Sequence, residues 1–340
     1  MSREQFFAAT TGLDRDQLRQ VLWHVYWLGP APVRARIETG LRPDDGVPDA
    51  QDAPTAGDPG AVLAQVEDFV ALARVGAYLA GDRRVSPKER TRWRFTFRRL
   101  VADARQSLRT EGTAVGASAM TALIDLACET RDMDYFRSDD PVEAAGWVVS
   151  DEVALLWARV RDESGFLAFA QLAATHLIRW ESPYGWTRRG GGRTADKERM
   201  LADVVAGMLP ALDAWLAFAA SYIDALDGLV GAHTGSLPAW RSADRARGER
   251  AESLARCHQL LLDRLIDTEG DALLDRIASH PALGGPELTF FQAQLAHRRG
   301  EADRARKLLH NALRTRPGHP NFLALAHEIG EPSPSSSGNG

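Results

Sequence analysis

The chain has 340 residues, of which 44% are hydrophobic and 26% charged, and its net charge is −5. That is the composition of an ordinary soluble globular protein, long enough for two or three domains or for one extended repeat array. So mild a charge argues neither for nor against nucleic acid, and the two distant cysteines, Cys128 and Cys257, exclude a zinc ribbon and a disulfide framework.

The cysteine usage fits a reducing interior. The opening stretch from Met1 to Thr11 is mixed and short rather than basic and then apolar, and no apolar run reaches the ~18 residues of a membrane span. The expectation is a cytoplasmic protein without a membrane segment.

Taken in chain order, almost every periodic segment has helical spacing. Asp14 is placed to cap a first helix with the stripe Leu18, Val21, Leu22, Val25 and Leu28. Trp23, Tyr26 and Trp27 surround that stripe, so this helix calls for partners on more than one face. Gly29-Pro30 stops it, and a second short helix carries Val33, Ile37 and Leu41. Residues 42–60 hold four Pro, five Asp and three Gly, with Val47 the one aliphatic side chain larger than Ala. Such a segment buries too little apolar surface to offset its ordering entropy and reads as a flexible linker, dispensable for folding. Asp58-Pro59 starts the next helix, with Val62, Val66, Phe69, Val70 and Ala73 facing inward.

Ser86-Pro87-Lys88-Glu89 is a capping box, and the helix it opens is the most basic in the chain. Between Asp82 and Arg99 eight Lys/Arg stand against two acids. Trp93, Phe97, Leu100, Val101 and Ala104 form one face, while Arg92, Phe95 and Arg99 form the other. A solvated arginine face is the plain reading; a phosphate or nucleic-acid surface over residues 83–99 is the alternative. A helix over 115–130 follows. The Asp132/Asp134 pair does not continue as a calcium loop, because Phe136 and Arg137 stand where an oxygen ligand and a Gly are needed. Asp140-Pro141-Val142-Glu143 signals another capped start, for a helix apolar nearly all round through Trp147 to Trp157.

After Gly165, a stripe from Phe166 to Trp180 leads into Trp180–Arg193, which gathers two Trp, one Tyr, three Arg and four Gly. Pro183 and the glycines keep these residues out of a regular helix. Trp180, Tyr184, Trp186, Arg188, Arg189 and Arg193 are therefore the candidate partner-binding residues, since exposed Trp, Tyr and Arg dominate interface hot spots. The competing readings are a structural plug folded over the helix ends, or a small anion pocket. Thr194 is expected to cap a helix with Leu201, Val204, Val205 and Met208 inward. A helix from Leu212 to Leu226 follows, then an irregular stretch over 228–247, then a longer helix through Leu254, Cys257, Leu261 and Leu265.

Near the end, Ala293, the Gly300-Glu301 turn, Ala305, Leu309, Ala312 and Pro317 are spaced so that residues 286–320 resemble one tetratricopeptide repeat. Thr289, Gln292 and Ala296 depart from the residues usual in that family. Residues 321–330 would be the capping helix, and 331–340 a Pro/Ser/Gly tail. The strings over 22–27, 134–144 and 180–189 also resemble uncharacterised helical proteins of high-GC bacteria. That resemblance implies no activity.

No HExxH, phosphate loop, GxGxxG or GxSxG occurs. His176 reads as packed against Leu172 and Trp180, and Cys257-His258 point about 100° apart on a helix and form no nucleophile–base pair. The expected fold is all-α, an array of antiparallel helix pairs (a tetratricopeptide-like solenoid) curved around a concave surface. Its expected divisions are 1–41, the linker 42–60, 61–230, 231–330 and the tail 331–340. The expected function is a non-catalytic adaptor for a protein or peptide, with no cofactor and no metal; nucleic-acid binding through 83–99 is the alternative.

Overall fold

The computed structural model describes residues 11–28, 37, 58–79, 84–110, 113–232 and 243–330. Among them every regular element is helical and none is a strand. The chain divides into two units, 1–55 and 56–340.

In the first unit, α1 (Arg15–Leu28) starts where Asp14 accepts the backbone N–H groups of Asp16 and Gln17 at 2.9 and 2.8 Å. Its stripe of Leu18, Val21, Leu22 and Val25 stands exposed, and so does Trp23. The second short helix predicted for this unit lies outside the described residues except for Ile37, as do residues 42–57 of the predicted linker.

The second unit begins with α2 (Pro59–Arg74), whose Asp58 carboxylate accepts the N–H of Ala61 at 3.2 Å. Residues 58–60, assigned to the linker from sequence, are thus a helix cap and first turn. Next, α3 (Pro87–Arg109) carries the predicted reciprocal box. Ser86 Oγ accepts from Glu89 N at 3.3 Å, and Glu89 returns the bond to Ser86 N at 3.0 Å. With α4 (Thr113–Glu129) these helices pack as a mutual triple. Phe136, from the turn after α4, stacks on Trp93 with ring centres 4.1 Å apart and also meets Phe69 and Tyr78.

The start at Asp140 is real but opens only α5 (Pro141–Ala145). Gly146 ends it in the left-handed region at φ 61°, a conformation costly to any residue with a Cβ. The apolar helix expected to run on from there is therefore a separate element, α6 (Val149–Trp180), itself broken at Gly165. Beyond the loop come one 3₁₀ turn (Ala195–Lys197) and α7 (Leu201–Ala206). Thr194 is buried and makes no side-chain cap, against expectation. The reason is Glu198: its carboxylate reaches back 48–49 residues to the N–H groups of Val149 and Ser150, at 2.6 and 2.9 Å. That anchor holds Glu198 in extended backbone, so no helix can wind through it.

The unit continues through α8 (Leu212–Ala232), α9 (Ala243–Ser253), α10 (Ala255–Leu265) and α11 (Asp271–Ala278). The single long helix predicted around Leu254 is two helices, α9 and α10, and the short α11 has no counterpart in the sequence reading. Three helices close the described chain: α12 (Gly285–Arg298), α13 (Ala302–Thr315) and α14 (Pro320–Glu328). Packing runs from α4 to α6, from α6 to α8, from α8 to α10, from α9 and α10 to α12, and then through α13 to α14. One apolar core extends from Val66 to Leu295, and a smaller one joins Phe290, Ala293, Leu309, Ala312 and Phe322.

Candidate functional site: the 180–193 loop and the cleft beside it

The aromatic loop is docked along most of its length. Trp180, the last residue of α6, is fully buried; its indole N–H donates to Asp125 at 2.8 Å and its ring stacks on His176 at 3.8 Å. Glu181 is also buried, accepting the N–H groups of Ser182 and Ala202 at 3.2 and 3.0 Å. Burial raises its pKa and those backbone donors oppose the rise. Trp186 is buried under the guanidinium of Arg131, 4.5 Å from its ring.

Arg188 spends its guanidinium on the carbonyl of Thr130 at 2.6 Å, the carbonyl of Met133 at 2.9 Å and the carboxylate of Asp134 at 2.6 Å. Asp134, considered and rejected as a calcium ligand from sequence, is thus an arginine partner. At the far end, Gly192 (φ 130°) lies so close to Glu143 that a Cβ there would sit 2.7 Å from its carboxyl carbon. The close approach lets Glu143 accept the N–H groups of Arg193 and Thr194 at 3.1 and 2.9 Å. Those bonds hold the Glu143 carboxyl below its usual range. They also explain why the box predicted at 140–143 is only half formed, with Asp140 accepting from Glu143 N at 3.1 Å while the Glu143 side chain turns to the loop.

The six candidate residues are therefore split. Trp180 and Trp186 are core, and Arg188 is committed to the 130–134 turn. Tyr184 is 77% exposed, and Arg193 stands at the surface. Arg189 is also exposed and pairs with the equally exposed Asp139 at 2.7 Å.

Pro183, beside Tyr184, forms part of the wall of a cleft of about 560 Å³ walled mainly by α9, α10, α12 and α14. Its floor includes Phe290, Phe291 and Leu325. Gln259 and Gln294 line it as a pair, with Gln294 Nε2 donating to Gln259 Oε1 at 2.6 Å. At one end Arg316 grips Glu252 with two bonds, 2.8 and 2.7 Å, and reaches Glu287 at 3.3 Å. His319 Nε2 lies 3.4 Å from the same Glu287 oxygen. Arg316 pulls the Glu252 carboxyl down, whereas burial pushes Glu287 up. Burial, and then the charge of Arg316, push His319 down. His258, also on the wall, is bonded to Tyr222 at 2.8 Å and is pushed to about 4 by burial, so it is neutral near pH 7.

More than half of these cleft residues fall within 286–330, but none of them is a residue that carries the repeat resemblance. The available signal was weak: Gln259 and Gln294 are polar residues on helices of mixed composition that carry other polar side chains, and Glu287 is a carboxylate whose burial only the fold reveals.

Two thiols and a second histidine are likewise held in their neutral forms by burial. Burial raises the Cys128 thiol to about 12 and the Cys257 thiol further, so neither is a thiolate near neutral pH. His176 is held neutral with a pKa of about 3 and accepts the indole N–H of Trp157 at 3.3 Å. Among the described residues no group of three or more His, Cys, Asp or Glu could hold a metal ion, and no helix is long and apolar enough to cross a membrane.

On the basic helix Phe95 is 52% exposed, with the guanidinium groups of Arg94 and Arg98 at 4.9 and 6.0 Å from its ring. Several of the arginines there are engaged: Arg90 with the carbonyl of Leu79, Arg98 with that of Ala145, and Arg99 with Asp103 and Gln65.

Comparison of the chain with protein-family models, with curated proteins and with solved structures gives no match.

Proposed function

We propose that this chain is a non-catalytic helical-repeat adaptor of the cytoplasm that binds a protein or peptide partner in the cleft between Pro183 and α14. The observation that carries the reading is the cleft itself. It is open, is lined by apolar residues such as Phe290, Phe291 and Leu325 and by more numerous polar ones, and its volume of about 560 Å³ lies in the roughly 300–1,000 Å³ range of ligand sites. Tyr184, exposed next to Pro183 in the chain, extends the surface on that side.

Two features support the repeat reading. The α12–α13 pair buries Ala293, Ala305 and Ala312 completely, small residues that let two helices approach closely, and α14 covers the pair as a terminal cap would. Packing from α4 onward also passes chiefly between near neighbours. Cys128 and Cys257 are unpaired thiols, which suits a reducing compartment.

A pull-down with the full chain, with and without nuclease, tests the proposal. Ala324 is exposed and lines the cleft, so Ala324→Trp fills it without touching the core. Capture that survives nuclease and is lost in Ala324→Trp supports the adaptor reading; capture unchanged by a folded Ala324→Trp overturns it. The second reading, nucleic-acid contact by α3, is favoured by exposed Phe95 between Arg94 and Arg98.

A further inference from the structure

Carboxylates outnumber the available cations at the α13–α14 end of the cleft. Arg316 is shared between Glu252 and Glu287. The other arginine on the wall, Arg256, places two of its nitrogens on Asp203 at 2.9 and 2.7 Å. Among the described residues Glu328, further along the wall, has one partner, His297, at 3.2 Å. Burial, and then the charge of Arg316, lower the His319 pKa and favour its neutral form. Two carboxyls, Glu252 and Glu287, thus share the single guanidinium of Arg316, and burial raises the Glu287 pKa.

The Glu287 carboxyl is only 6% exposed yet lines the cleft. Oε1 of Glu287 takes both of its contacts, and among the described residues no hydrogen bond reaches Oε2. Oε2 is reachable from the cleft, and a cationic donor placed there would favour the ionised form that burial disfavours. The phenyl ring of Phe290 lies on the same helix one turn away, lines the same cleft and stacks on Phe322 with ring centres 4.5 Å apart, so a cation would meet its other face.

Building on the adaptor reading, we infer that the cleft takes an extended peptide segment in which a Lys or Arg lies next to a bulky apolar residue. The cation seats against Glu287 Oε2 and Phe290, and the apolar side chain lies on Phe291 and Leu325. The Gln259–Gln294 pair carries both donors and acceptors, which is what the backbone of an extended segment requires on one edge. An acidic segment would meet Glu252, Glu287 and Glu328 and find both nearby guanidinium groups already engaged.

The test uses the immobilised full chain and a randomised pool of N-acetylated, C-amidated hexapeptides, with the retained sequences read by mass spectrometry. Enrichment of Lys or Arg beside Leu, Met or Phe is expected. The best peptide should weaken about tenfold when its basic residue becomes norleucine, the usual scale for one charge-assisted contact. Glu287→Gln keeps the shape and should abolish the difference between the two peptides. Should that variant not fold, the lysine-to-norleucine comparison on the native chain decides alone.

Enrichment of acidic or uncharged sequences that Ala324→Trp abolishes would overturn this inference and leave the adaptor reading standing. No enrichment, or enrichment indifferent to Ala324→Trp, would overturn both. Displacement of the best peptide by free spermidine at equal concentration would make the occupant a small polyamine and would also overturn the inference.

Discussion

The indole N–H of Trp180 donates to the carboxylate of Asp125 at 2.8 Å across 55 residues of sequence, and both groups are buried. The other oxygen of Asp125 takes Arg179 at 2.7 Å. Burial nonetheless raises the Asp125 pKa, so the indole and Arg179 offset only part of its desolvation. A double-mutant cycle with Trp180→Phe and Asp125→Ala should give a coupling of about 1 kcal/mol, because each change alone strands the other's polar atom. Additive costs would mean that the pair is not formed.

Glu198 acts as the missing N-cap of α6, whose flanking Val148 has no side chain that can bond. Glu198→Ala should therefore cost about 1–2 kcal/mol in urea unfolding, the scale of a lost cap. It should also raise amide exchange at Val149 and Ser150. Unchanged exchange there would remove the capping role.

Signals of this kind mark the limit of what the sequence discloses. The cap at Ser86, the capped start at Asp140 and the buried stripe of α3 involve residues three to eleven apart, so local spacing reveals them. Gly146 was visible too, but a glycine in an apolar run looks tolerable until its left-handed φ is known. The contacts that dock the loop join residues 49 to 58 apart: Arg131 with Trp180, Arg188 with Thr130, Glu143 with Thr194. No periodicity encodes such pairings. The loop's residue types were therefore legible while their burial was not, and the cleft, built from four helices, left only the weak trace of a few polar residues on its walls.

Two buried histidines should make stability fall with acid. His176 and His258 have pKa values depressed to about 3 and 4, below the ordinary 6.5 of the unfolded chain. Between those limits the unfolded state binds protons that the folded state does not, so unfolding free energy falls as pH drops from about 6.5 toward 4. Each contributes roughly 1.4 kcal/mol per pH unit in that window. His258→Gln, which can still accept from Tyr222, should flatten the slope between pH 6 and 4.5 by about one proton. An unaltered slope would mean that His258 is not the neutral buried group described.

The basic helix should not bind nucleic acid. Arg90, Arg98 and Arg99 already satisfy protein acceptors, and each released counterion needs a free cation on the surface. A gel-shift titration with duplex and single-stranded oligonucleotides at low salt should show no complex at micromolar protein. A complex whose affinity falls steeply with salt, and which is lost in Arg92→Ala/Arg94→Ala, would reverse this.

The loop itself separates packing from recognition residue by residue. Trp186 is buried beneath Arg131, so Trp186→Ala should cost about 3–5 kcal/mol, the range for deleting a large aromatic from a core. In a unit of this size that is a fall in Tm of about ten degrees. Arg189 and Asp139 form an exposed pair, and Arg189→Ala should change stability by less than about 0.5 kcal/mol. Tyr184→Ala should be equally silent in calorimetry, since the ring is 77% exposed. If the rim of the cleft contributes to binding, Tyr184→Ala should weaken capture of the partner severalfold while leaving Tm unchanged. Calorimetry beside the pull-down decides. A stable Trp186→Ala would show that the indole is not packed as described, and a Tyr184→Ala chain that captures its partner undiminished would confine recognition to the cleft floor.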